Sequence, residues 1–411
     1  MRSQSENERL YAELLVRVGV NVQKGQTLVL ACPVECAEFA HRLVEEAYKA
    51  GAREVVMRWI DERVSRLTLD MADDAVFDEF PEWGKSFFNG YSKEGAAFLS
   101  IVASDPEIMK GADPKRMSRQ VKARSSALEY FRNRQMSNQN SWCVGSVPSI
   151  AWARKVFPGK PDADAMALLW SSIFSAVRVT EDDPVQAWRD HQAALNRRLD
   201  FLNKKQFSEL RYSNVLGTEL SVKLPKDHLW FGGGDPHPDG YVFVANMPTE
   251  EVFTMPHSAG ANGKVVSSMP LSHNGNLINK FWFQFKDGLV VDYGADEGLS
   301  VLKELMETDG GARRLGEVAL VPHDSPISNQ RILFYNTLFD ENASCHFALG
   351  KAYPTCVKGG PDMSKEELAA AGANDSLVHV DFMVGSPDLS IDGVDASGAV
   401  TPVFRAGNFV I

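Results

Sequence analysis

Thr27-Leu-Val-Leu-Ala-Cys-Pro-Val-Glu-Cys-Ala-Glu-Phe-Ala-His-Arg-Leu-Val-Glu-Glu-Ala-Tyr-Lys-Ala-Gly-Ala-Arg-Glu-Val-Val-Met-Arg-Trp-Ile60 passes from one hydrophobic period to another and back. Thr27–Ala31 is an apolar run short enough for a buried strand. Pro33 opens a helix expected to reach Ala50, and Gly51 suits the left-handed position that ends it. Glu54–Ile60 is a second strand. Strand, helix, strand at this spacing is a βαβ unit, so the two strands run parallel.

Working outward, residues 8–18 place Leu10, Leu14, Leu15 and Val18 at helical spacing. Strands are expected at Ala96–Val102 and Ser141–Ser146, and helices at 115–138, Ala163–Val177 and 184–204. The fold class is α/β: residues 1–207 form an N-terminal α/β domain with helices on a mostly parallel sheet. Near Ser208 the composition changes. Turn signals gather at Asn214–Gly217, Gly232–Pro236, Pro238-Asp-Gly240, Asn274-Gly275 and Asp287-Gly288. Between them strands are expected at Glu219–Leu224, Tyr241–Ala245, Lys264–Met269, Leu277–Phe285 and Leu289–Tyr293, then a helix at Asp296–Thr308. Gly316–Val321, Ile332–Tyr335 and Leu377–Val384 are further strands. Residues 208–411 thus read as a C-terminal α+β catalytic domain.

The net charge of −11 argues against nucleic acid or an anionic membrane as partner, since both would repel the chain. Five cysteines, an odd number in a long chain, indicate reduced thiols and a cytoplasmic protein. Cys32 and Cys36 read as packing residues. The first ten residues hold no apolar signal core, and no apolar run approaches the ~18 residues of a membrane span. Neither GxGxxG nor GxxxxGK[ST] follows the first strand, so no phosphate cradle is expected there. The Lys- and Arg-rich helix at 115–138 reads as a solvated face.

Seven of the nine histidines lie after residue 207, which places acid/base or metal chemistry in the second domain. On the strand Leu377-Val-His-Val-Asp-Phe-Met-Val-Gly385, His379 and Asp381 share one face. A carboxylate and an imidazole on an otherwise apolar strand need partners, because burying an unpaired charge costs several kcal/mol. A divalent cation is one solution; a His–Asp hydrogen bond is another. Glu317 opens an apolar strand. Pro248 and Pro256 bracket the carboxylates Glu250 and Glu251 in a loop they stiffen. Asn342–Leu349 suits a short helix ended by Gly350, with His346 on the face of Asn342; Glu341 joins His346 only if it precedes that helix. Cys345 points away from His346 and is not read as a nucleophile. Glu251, Glu317, Asp381, His346 and His379 together suffice for two divalent cations sharing a bridging carboxylate. HExxH and GxSxG are absent.

These residues sit in longer runs: Tyr11-Ala-Glu-Leu-Leu-Val-Arg-Val-Gly-Val-Asn21, Ala47-Tyr-Lys-Ala-Gly-Ala52, Trp152-Ala-Arg-Lys-Val-Phe-Pro158, Pro248-Thr-Glu-Glu-Val-Phe-Thr254, Leu315-Gly-Glu-Val-Ala-Leu-Val321, Phe339-Asp-Glu-Asn-Ala-Ser-Cys-His346 and His379-Val-Asp381. Nearly end to end, the chain resembles the thermophilic aminopeptidases, the M29 metallopeptidases. The resemblance implies a cytosolic, homodimeric aminopeptidase with an enclosed cavity, which releases N-terminal residues from peptides with two divalent ions (Zn, Co, Mn or Mg). It implies Glu251, Glu317, His346, His379 and Asp381 as ligands, Tyr353 as the active-site tyrosine that meets the oxyanion, and Glu341 as a further participant. Glu250 is the candidate base behind the ligands. One metal taking the free α-amino group would account for exopeptidase selectivity. Two alternatives are a silent peptide-binding paralogue and another metal-dependent amidohydrolase.

Overall fold

The computed structural model describes residues 2–273 and 276–411, so the Asn274-Gly275 turn signal lies outside the described residues. Two compact units are formed: one from Met1–Ala193, Gly234–Thr249 and Ile332–Leu338, the other from Ala194–Gly233, Glu250–Arg331 and Phe339–Ile411. Composition alone marks one break, near Ser208, whereas the chain passes between units several times.

In the first unit, β1 (Thr27–Pro33) is an interior strand of a five-stranded parallel sheet. With β2 (Glu54–Ile60), β3 (Ala97–Val102), β4 (Trp142–Ser146) and β5 (Asn246–Met247), the order is β2-β1-β3-β4-β5. The crossover helix Ala37–Ala50 buries Phe39, Ala40, Leu43 and Ala47, one stripe at helical spacing, and Gly51 ends it at φ 97°. The expected helix over 115–138 is two, Pro114–Ala127 and Glu129–Met136, joined at the buried Leu128. Helices Glu62–Met71, Glu82–Lys93 and Ile150–Val156 add to the unit. Ile332–Tyr335, expected as a strand, pairs with no strand among the described residues. Phe334 is instead a buried anchor whose carbonyl accepts the Trp152 indole N–H.

The second unit holds two antiparallel sheets. The larger runs Leu271–His273, Asn276–Lys286, Ala261–Val266, Glu219–Lys223, Glu209–Ser213, Ser390–Val394, Val400–Arg405 and Asn408–Phe409, with Leu289–Glu297 also paired to Asn276–Lys286. Asp296 and Glu297 extend that strand, so the helix expected from Asp296 begins only at Leu299. The smaller sheet comprises β6 (Val252–Thr254), β7 (Leu315–Leu320), β8 (His346–Gly350) and β9 (His379–Met383), in sequence order.

The expected helix Asn342–Leu349 is therefore corrected. A short helix (Thr337–Asp340) and a single tight turn (Glu341–Ala343) come first, and His346–Gly350 is a fully buried strand laddered on both edges. Two flanking strands satisfy its backbone, which outweighs the helical preference of Ala348 and Leu349. Phe347 and Phe382 lie opposite each other on its back face and pack against Tyr212, Phe281 and Phe283. That aromatic core leaves the front face of the small sheet free for polar groups.

Candidate metal centre

The ladder register decides which side chains meet. Glu317, Ala348 and Asp381 are directly opposed across β7, β8 and β9, and Gly350 opposes His379. Opposed residues share a face, so Glu317, His346, His379 and Asp381 all stand on the front. Alanine and glycine between them provide a low floor. Two residues apart, Leu315 and Glu317 would ordinarily share a face. A bulge at Gly316 breaks that rule: Leu315 opposes Leu349 and Glu317 opposes Ala348. Only glycine fits, because a Cβ there would lie 2.3 Å from the Gly350 carbonyl oxygen. Glu251 stands one residue before β6, two before the front-facing Phe253, whose partner Ala319 is itself opposed to His346.

The result is two groups of ligand atoms that share a carboxylate. Glu251, Glu317 and His346 form one; Glu317, His379 and Asp381 form the other; within each group the atoms lie within 4.8 Å of one another. Glu317 divides its oxygens, Oε1 3.5 Å from His346 Nε2 and Oε2 3.6 Å from His379 Nε2. His346 Nε2 is also 3.0 Å from Glu251 Oε2, and His379 Nε2 is 3.4 Å from Asp381 Oδ1.

Both imidazoles are held from behind. His346 Nδ1–H donates to the carbonyls of Glu341 and Ser344, at 3.0 and 3.1 Å. His379 Nδ1–H donates to the Lys351 carbonyl at 2.7 Å. A carbonyl only accepts, so Nδ1 carries the proton, and Nε2 of a neutral ring turns a lone pair toward the carboxylates. Two lone pairs at this distance require a cation between them, either a proton or a metal. Burial lowers the basicity of His346, but Glu251 and Glu317 outweigh it and hold its imidazolium well above the usual range. Burial opposes His379 too, yet Asp381 and Glu317 raise it to about 9. Burial pushes Glu317 up to about 7 despite the two histidines. For Asp381, burial acts upward but His379 prevails and holds the carboxyl below its ordinary value. Glu251 Oε2 and Asp381 Oδ1 are buried without a well-formed hydrogen bond. An oxygen-rich, imidazole-bearing set with orphaned acceptors fits a divalent cation in each half.

A family model described as thermophilic metalloprotease (M29) matches residues 4–409. The chain belongs to the M29 metallopeptidases. It is 48% identical to aminopeptidase AmpS of Bacillus subtilis (strain 168) over 409 residues, covering 100% of both chains. It is 49% identical to aminopeptidase 2 of Geobacillus stearothermophilus over 399 residues, covering 97% of this chain and 96% of that one. The solved structure of wild-type AmpT from Thermus thermophilus superposes with a TM-score of 0.91 at 38% identity, covering 100% of each chain.

Of the other residues expected at the site of this metallopeptidase, Glu341 and Tyr353 adjoin the ligand groups. Glu341 stands beside them, since neither ligand group contains its carboxylate. Burial, then the Asp381 charge, holds that carboxyl well above the usual range. The Glu250 backbone N–H donates to Asn342 Oδ1 at 2.7 Å, and the Asn342 amide N–H meets Glu341 Oε1 at 3.5 Å. Asn342, fully buried, therefore ties the loop of Glu250 and Glu251 to the turn of Glu341. Tyr353 packs edge-on against His379, ring centroids 5.1 Å apart. Cys345 is a packing residue: its thiol donates to the Val321 carbonyl, and burial raises it to about 12. Sequence reasoning missed Gly316, Ala348 and Asn342. Alternate small residues, Ala348 and Gly350, were a visible signal once residues 346–350 are read as a strand; the bulge left none.

Proposed function

We propose that this M29 metallopeptidase is an aminopeptidase that hydrolyses the first peptide bond of peptides with two divalent ions (Zn, Co, Mn or Mg). Glu251, Glu317 and His346 would hold one ion and Glu317, His379 and Asp381 the other, with Glu317 bridging. The observation that carries this reading is the division of Glu317, one oxygen toward each imidazole. When bound, the ions supply the Lewis acidity that lowers the pKa of a water and polarises the scissile carbonyl. The protein's part is preorganisation. The carbonyls of Glu341, Ser344 and Lys351 fix both rings. Glu250, anchored through its backbone on Asn342, receives the proton from the attacking water. Tyr353, against His379, donates its phenol to the developing oxyanion. Burial holds the Glu341 carboxyl, beside the ligands, well above its usual range.

The enzyme acts on peptides, as a cytoplasmic homodimer. Its five cysteines are buried thiols, which suits a reducing compartment; the dimer rests on the family resemblance. No helix among the described residues is long and apolar enough to cross a membrane.

The test is metal content per chain after exhaustive exchange, measured by plasma mass spectrometry. The wild type should hold about two ions and Glu317→Gln fewer than one, while His379→Ala should keep about one. Wild-type protein that holds a single ion, or Glu317→Gln that keeps both, sinks the bridging scheme. A chelator should abolish cleavage of aminoacyl-nitroanilides, and acetylated peptides should be refused.

A further inference from the structure

An aromatic run leads away from the ligand groups. Tyr353 packs edge-on on His379, Phe253 lies 5.6 Å from Tyr353, and Phe231 lies 6.4 Å from Phe253, centroid to centroid. Phe231, Phe253, Tyr353 and Met363 are only partly buried, over a buried layer that includes Met255 and Cys356. Phe253 stands on the front face of the small sheet, in register with Ala319 and His346 and two residues from Glu251.

Resting on the peptidase reading above, we infer that this wall is the subsite for the side chain of the peptide's N-terminal residue, and that Phe253 selects bulky apolar residues. The scissile carbonyl must lie at the ligand groups. The Cβ of the residue that bears it is two bonds from that carbonyl carbon, so its side chain lands within reach of whatever flanks His379. What flanks it is Tyr353 and then Phe253. A Leu or Phe side chain there covers partly exposed aromatic carbon, whereas a Lys or Asp side chain would lay its charge against the apolar faces of Phe231, Phe253 and Met363.

The experiment uses the full-length metal-loaded enzyme and the nitroanilides of Phe, Leu, Ala and Lys. An apolar pocket separates side chains of different size by roughly 10–200-fold, so wild type should favour Phe and Leu over Ala within that range. Phe253→Ala should lower the Phe-to-Ala ratio of kcat/KM at least about tenfold, and Phe253→Leu should restore part of it. A second readout is calorimetric binding of free L-phenylalanine against L-alanine, in which the same ratio should fall. If Phe253→Ala does not fold, Phe231→Ala and Phe253→Leu must each lower the ratio. Equal loss on all four substrates, or a wild type without preference for Phe and Leu, overturns the subsite while leaving the peptidase reading intact. A loaded wild type that cleaves none of the four overturns both.

Discussion

Raising the pH should tighten metal binding and, in metal-free protein, loosen the fold. Both effects come from the same imidazoles. Metal-free His379 is held protonated up to about 9 by Asp381 and Glu317, against the opposing effect of its burial. The gap from an ordinary imidazole near 6.5 corresponds to about 3 kcal/mol of favourable interaction in the charged form. For the metal-free protein, a folded pKa raised above the unfolded value means this stability is complete below about 6.5 and is lost as pH rises through about 9. Tm of the apo form should therefore fall over that window. A metal ion needs the Nε2 lone pair, so it must expel the proton that His379 carries at neutral pH. Affinity for the second ion should climb about tenfold per pH unit from neutrality and level off near 9, with about one proton released per ion. Chelator competition at several pH values, with calorimetry in buffers of different ionisation heat, measures both quantities. Affinity independent of pH between 6.5 and 9, or binding without proton release, would refute the assignment of His379 Nε2 as a ligand atom.

Other outcomes follow from single contacts. Ala348→Val adds carbon between the opposed Glu317 and Asp381, so metal content should fall below one per chain while stability drops only modestly, by about 1–3 kcal/mol. Tyr353→Phe keeps the ring packing on His379 and removes the hydroxyl; kcat should fall about 10²–10³-fold with KM little changed, and an unchanged kcat would remove Tyr353 from the chemistry. Gly316→Ala presses a methyl onto the Gly350 carbonyl and should lower both Tm and metal content, read by calorimetry and mass spectrometry. Asn342→Ala frees the Glu250 backbone N–H, at about 1–3 kcal/mol for a buried donor, and should lower kcat more than metal content.

Four strands of the parallel first sheet were legible, because Thr27–Ala31 is a continuous apolar run and the crossover helix carries a clean apolar stripe closed by Gly51; the fifth, Asn246–Met247, was not. The His379–Asp381 pair was legible because strand periodicity is two and the run is long. The His346 segment was misread as helix. Five residues allow either period, and the deciding term is the pair of flanking strands, which lie 26 or more residues away in sequence. Glu341 joined the site for the same reason: once the strand begins at His346, the turn before it faces the carboxylates.

The sequence alone determined the α/β class, the family, and which side chains are chemically able to hold a divalent ion. All of that is carried by residue identity and local period. Tertiary structure alone decided that Glu317 serves both halves of the site, through a glycine bulge that turns its side chain onto the polar face. It also decided that two rings present Nε2, through carbonyls of turns and strand ends behind them. Register and hydrogen-bond partner are properties of neighbouring strands, and local periodicity contains no term for either.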